Sequence, residues 1–157
     1  MTTAVAGSLR VSRILITIVT LFYGVAPLLV DLTGTHVFHP DWTPHARFHM
    51  VWLLSTNSAL AVFALYLMWI SRLDDWVRMR VAGVIGLCVL GGFFVSTLTT
   101  NLYGGSLVDP VRAVPPIMGI NANLLSFTPM LALLVVGLWL GTRSRRGLFC
   151  GASIPFR

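Results

Sequence analysis

Residues 13–32 read RILITIVTLFYGVAPLLVDL, and this stretch decides the fold. It supplies about twenty mostly apolar residues, the length that crosses ~30 Å of hydrocarbon at about 1.5 Å of helical rise per residue. Its charges, Arg13 and Asp31, stand at the two rims. Arg10 and Arg13 precede the run as they would in a signal peptide, but the run is a full span long and Pro27 follows Gly-Val-Ala, so it reads as a retained first helix. Pro27, about a turn from the end, leaves the Tyr23 carbonyl without its intrahelical donor.

The composition around this helix agrees with it. Of 157 residues, 56% are hydrophobic and 10% charged, with mean hydropathy +0.84, which is outside the soluble range and allows one domain. The net charge of +6 comes entirely from arginine, and the acids are Asp31, Asp41, Asp74, Asp75 and Asp109. The arginines flank apolar segments, so anionic lipid headgroups rather than nucleic acid are the expected partner. Cys88 and Cys150 form neither a disulfide framework nor a redox pair.

Three more spans follow. Residues 33–42 carry Gly34 and Pro40 and read as a loop, and Thr43-Pro44 is a helix start, a hydroxyl N-cap before a proline whose missing N–H costs nothing there. The second helix is expected over 44–71 and the third over 81–101, where Gly86, Gly91 and Gly92 allow close helix approach. Trp69 and Trp76 read as interfacial anchors. Residues 102–120 are too rich in glycine and proline to be helical, and the fourth helix is expected over 121–140. The expected fold is all-α: an integral membrane four-helix transmembrane bundle over 13–141, between a short arm (1–12) and a basic tail (142–157).

Orientation follows from the arginines. Arg10, Arg13, Arg72, Arg78, Arg80, Arg143, Arg145, Arg146 and Arg157 fall on one side of a four-span chain, and Arg47 and Arg112 on the other. The positive-inside rule puts both termini in the cytoplasm and the loop at 33–42 on the extracytoplasmic side of a bacterial inner membrane or a eukaryotic internal membrane.

All four histidines lie in DLTGTHVFHPDWTPHARFHMVW, residues 31–52. His45 and His49 are four apart on a helix and so share a face, which Trp52 and Thr56 continue. His36 and His39 can fold back onto the same place. Two chemistries fit: a divalent metal such as Zn, Fe or Cu held by His36, His45 and His49, or metal-free acid–base work with a carboxylate fixing an imidazole tautomer. The plainer alternative is that these side chains cap backbone groups and bind lipid phosphates.

Other polar residues gather at the same end of the chain's spans: Thr97, Thr99, Thr100, Asn101 and Tyr103, then Asn121, Asn123, Ser126 and Thr128, with Asn57 deeper. Such a polar cup over apolar walls suits the polar end of a lipophilic molecule, and interhelical hydrogen bonding explains the same residues equally well. Four histidines in one cluster are too few for di-iron desaturase boxes, and the third and fourth spans offer none to hold a heme. No serine–histidine motif or phosphate loop is present, and with no glutamate there is no glycosidase-like carboxylate pair.

The run THVFHPDWTPHARFH, with Asp31 before it, resembles the signature of a family of small four-span membrane proteins of fungi and bacteria whose function is unknown. The resemblance covers about fifteen residues and implies the four-span fold and this segment as the site. His39 stands where that signature has asparagine, which favours His36, His45 and His49 over His39.

The functional expectation is a membrane-embedded enzyme of isomerase, hydratase or cyclase type acting on a small lipophilic molecule. His45 and His49 would serve as acid and base, Asp31 or Asp41 would orient them, and Arg47 or Asn101 would stabilise negative charge. Trp52, Asn57, Thr100, Tyr103, Asn121 and Asn123 would contact substrate. In a metal-assisted variant the three-histidine set activates water. The alternative is a non-catalytic lipid- or metal-binding subunit of a larger complex. A homo-oligomer is compatible with either.

Overall fold

A computed structural model describes residues 3–108 and 116–150, with side chains described for residues 5–108 and 116–143. Asp109, Arg112 and residues 151–157 lie outside the described residues. The elements are α1 (Thr3–Asp31), α2 (Pro44–Trp69), α3 (Asp75–Leu98), the single turn α4 (Thr100–Tyr103) and α5 (Ala122–Cys150). Among the described residues the regular elements are all helices, with one isolated bridge between Ile117 and Ile120 in the loops. α1, α2, α3 and α5 each contain a segment long and apolar enough to cross a membrane.

The helix ends differ from the sequence reading in instructive ways. α1 begins at Thr3 rather than at Arg13, and its added turns pack on α5: Ser12 Oγ donates to the Gly137 carbonyl at 2.6 Å and Ser8 Oγ to that of Leu140 at 3.4 Å. α3 begins at Asp75, six residues earlier than expected, because Asp75 Oδ1 accepts from Arg13 Nη2 at 2.6 Å and also from Arg78 Nη2. α5 runs on to Cys150, so the first half of the expected tail is helical. The third expected helix breaks at Thr99, and Gly104, at φ 68° in the left-handed region, ends the short turn that follows.

α1 packs against α2, α3 and α5, and α3 also packs against α2 and α5, so α1 and α3 form the short diagonal of the bundle. Ile16, Val19, Tyr23, Ala61, Ala64, Met68, Met79, Ala82, Leu90 and Leu134 make its buried centre. Close approach is set by glycines. A Cβ on Gly24 would fall 2.4 Å from the Ala61 side chain, and one on Gly83 would fall 2.3 Å from Leu138. Gly86 meets Leu134 in the same way, but Gly91 and Gly92 face open space, so this part of α3 creates room instead of closing it. At the arginine-rich end Trp69 Nε1 donates to Thr17 Oγ1 at 3.0 Å, and the guanidinium of Arg13 lies 5.4 Å from its ring.

Candidate functional site

The stretch from Asp31 to Trp52 is built by turns and caps. After α1 ends, the Val37 N–H returns to the Asp31 carbonyl at 3.0 Å, and the Phe38 N–H to that of Thr33 at 3.0 Å. Val37 is buried as the loop's apolar anchor. α2 starts where expected: the Thr43 hydroxyl accepts from the Ala46 N–H at 3.2 Å and Pro44 occupies the first helical position.

This local folding separates the histidines. His45 and His49 share a face of α2, with their Nε2 atoms 3.0 Å apart, which requires one ring to donate and the other to accept. Both are exposed, and His49 stacks on the exposed ring of Trp52 at 5.9 Å between centroids. His36 is elsewhere, on the loop beside Asp31, with its Nε2 3.8 Å from Asp31 Oδ1. His39 is occupied locally, its Nδ1 accepting the Asp41 N–H at 3.2 Å, and Asp41 is exposed. The set His36, His45 and His49 is therefore not gathered, and no group of three or more His, Cys, Asp or Glu at metal-holding spacing occurs among the described residues. These residues do not fit a three-ligand metal centre.

Arg47 is also committed. Its Nη2 donates to the His39 carbonyl at 2.7 Å and reaches that of Pro40 at 3.4 Å, tying the loop to the first turns of α2. This bond gives the guanidinium a structural task.

A hydrogen count fixes the state of His36. The Thr33 hydroxyl donates to the Val30 carbonyl at 2.9 Å, which uses its only proton. The contact of 2.9 Å between Thr33 and Thr35 hydroxyls must then be donated by Thr35. The 3.0 Å contact between Thr35 Oγ1 and His36 Nδ1 must in turn be donated by the ring. Nδ1 therefore carries a proton, and Nε2 is the nitrogen that faces Asp31.

Asp31 borders two cavities. The larger, about 530 Å³, lies between α1, α2, α3 and α5 and is lined mainly by apolar side chains, with Tyr23, Asp31, Asn57, Cys88 and Ser96 as its polar residues. The smaller, about 210 Å³, lies between α1 and α5 and includes Asn123 and Ser126. The larger is of the size that holds a small organic ligand. Tyr23 is 1% exposed.

Of the residues expected to contact substrate, Asn57 and Asn123 line these cavities. Trp52 points outward beside His49. Tyr103 is exposed with its hydroxyl on the Ser96 carbonyl at 2.9 Å, and Thr100 bonds back to the Thr97 carbonyl at 3.4 Å. Asn121 caps α5, its Oδ1 accepting the Asn123 N–H at 2.9 Å, and Asn101 is exposed and lines neither cavity. Tyr23, Gly92, Ser96 and Phe127 were not foreseen, although a signal existed: Tyr23, Pro27 and Asp31 recur every four residues and so form one stripe on α1.

The fold and this geometry define a small helical bundle of membrane-spanning type, with a half-open apolar cavity and a carboxylate–imidazole pair at one end. The chain matches the model of a family of unknown function (DUF6640) over residues 15–150, and it belongs to that family. No curated protein matches the chain, and no solved structure does.

Proposed function

We propose that the protein is an integral membrane enzyme that takes a small lipophilic molecule from the bilayer into the larger cavity and moves a proton beside its polar group, as isomerases, hydratases and cyclases do. The observation that carries this reading is Asp31, which borders the apolar cavity while its carboxylate faces an imidazole of defined tautomer. In an isomerisation the carboxylate takes a proton from one carbon of the bound molecule and returns it to another, which needs no oxidant and no co-reactant. His36 Nε2, 3.8 Å from Asp31 Oδ1, stands beside that carboxylate as its nearest imidazole nitrogen. Asn57 also lines the cavity, and its side-chain amide is the group available to an oxygen that gains negative charge. The arginines of the Arg13, Arg78 and Arg80 end put that end in the cytoplasm by the positive-inside rule, and the loop of residues 33–42 outside it, in a bacterial inner membrane or a eukaryotic internal membrane.

A second reading, a binding subunit without turnover, is favoured by one observation: Asp31 lines the cavities and His36 lines neither. The two separate in one experiment. Lipophiles are extracted from detergent-purified protein incubated in D2O and compared by mass spectrometry with those from Asp31→Asn at equal folded yield. The enzyme reading expects a retained molecule that gains deuterium on carbon in the parent and not in the variant. A molecule retained by the parent without deuterium supports the binding subunit, and no retained molecule contradicts both.

A further inference from the structure

Pro27, Asp31 and Phe127 are common to the walls of both cavities. The Phe127 ring stacks on Phe93, a wall of the larger cavity, with centroids 3.9 Å apart and planes at 16°. It meets Phe22, a wall of the smaller cavity, edge-on at 5.2 Å and 77°. A ring held on both sides by aromatic contacts is a fixed partition. Asp31 is the ionisable group that both compartments reach.

The compartments differ in kind. The larger, about 530 Å³, is walled by Leu53, Leu54, Leu60 and Val89, with Asn57 among them. The smaller, about 210 Å³, carries the Asn123 carboxamide and the Ser126 hydroxyl, whose proton goes to the Ala122 carbonyl at 2.9 Å and leaves its oxygen free to accept. A molecule whose reactive group sat at the end of a single chain would leave one compartment unused.

Resting on the function proposed above, we infer that the ligand is an unsymmetrical lipophile with an internal oxygen function, a ketone or secondary alcohol. Its long hydrocarbon arm fills the larger compartment, its short polar-tipped arm fills the smaller, and Phe127 sorts the two. The functional carbon then lies at Asp31, where both arms meet. Phe127 acts on specificity by shape and takes no part in proton transfer.

The test uses the full chain in lipid nanodiscs and a photoreactive probe, an alkyne-tagged secondary alcohol with one long alkyl arm and one short hydroxyl-tipped arm. A diazirine is placed at the end of either arm, and labelled residues are mapped by mass spectrometry. The long-arm diazirine is expected on Leu53, Asn57 or Gly92 and the short-arm diazirine on Asn123 or Ser126. Crossed labelling is expected to be lower by about tenfold, the preference that ~1.4 kcal/mol gives. Phe127→Ala is expected to bring the two patterns within about twofold of each other, whereas Phe127→Leu, which keeps a bulky partition, holds most of the preference. Both diazirines labelling one compartment in the parent, or an unchanged ratio in a folded Phe127→Ala, overturns the two-armed ligand and leaves the proposed function standing. Absence of label from every lining residue overturns both.

Discussion

His36 Nε2 faces Asp31 Oδ1 at 3.8 Å while Nδ1 of the same ring is tied back to Thr35 at 3.0 Å. The two ends of one imidazole thus have separate duties, one structural and one directed at the carboxylate. A ring oriented through its far nitrogen is a recurrent way of presenting a proton-exchanging group.

Removing the Thr35 hydroxyl tests that division. Thr35→Val leaves Nδ1 without its acceptor and lets the ring rotate or change tautomer. A neutral hydrogen bond is worth about 0.5–1.5 kcal/mol. Deuterium incorporation into the bound molecule should fall by up to about tenfold, while the amount retained stays within about twofold. Equal losses of both would mean that the variant has damaged the cavity.

The exposed pair on α2 should be dispensable for this chemistry. His45 and His49 line neither cavity, and surface substitutions away from packed features change stability by about ±0.5 kcal/mol. The double substitution His45→Ala/His49→Ala is expected to leave ligand retention and deuterium incorporation within about twofold of the parent, measured by the same extraction.

Arg47 should matter for the loop. Arg47→Ala removes the 2.7 Å charge-assisted bond to the His39 carbonyl, and hydrogen bonds to charged groups contribute about 1.5–3 kcal/mol. Hydrogen–deuterium exchange is expected to accelerate at the amides of residues 36–42, with little change in the middle of α3.

Gly24 and Ala61 offer a reciprocal test of packing. Gly24→Ala places a methyl 2.4 Å from the Ala61 Cβ and forces α1 from α2, with an overpacking cost of about 1–3 kcal/mol. Adding Ala61→Gly removes the clash and should restore most of the lost thermal stability. A double variant no more stable than Gly24→Ala would contradict this contact.

The four long helices were legible because membrane length and apolarity are properties of local sequence, and the Thr43-Pro44 start was legible because capping is local too. The ends at Thr3 and Asp75 were not, because they depend on partners distant in sequence: Ser12 on Gly137, and Arg13 on Asp75. The site was legible in part. Helical spacing gave the His45–His49 pair, but the turn that carries His36 back to Asp31 rests on loop hydrogen bonds at Thr33 and Thr35 that no periodicity announces. The cavity depends on Gly92 facing open space and on Phe127 stacking on Phe93, both results of how helices are placed.

The most direct test of the central claim is an experimental structure of the full chain in lipid nanodiscs, at a resolution that shows a bound small molecule. The account predicts an elongated molecule in the larger cavity, between Leu53, Gly92 and Phe127, with a polar atom within hydrogen-bond distance of the Asp31 carboxylate. A cavity closed by its own side chains, or lipid ordered only along the outer face of α2 beside His45 and His49, would contradict it.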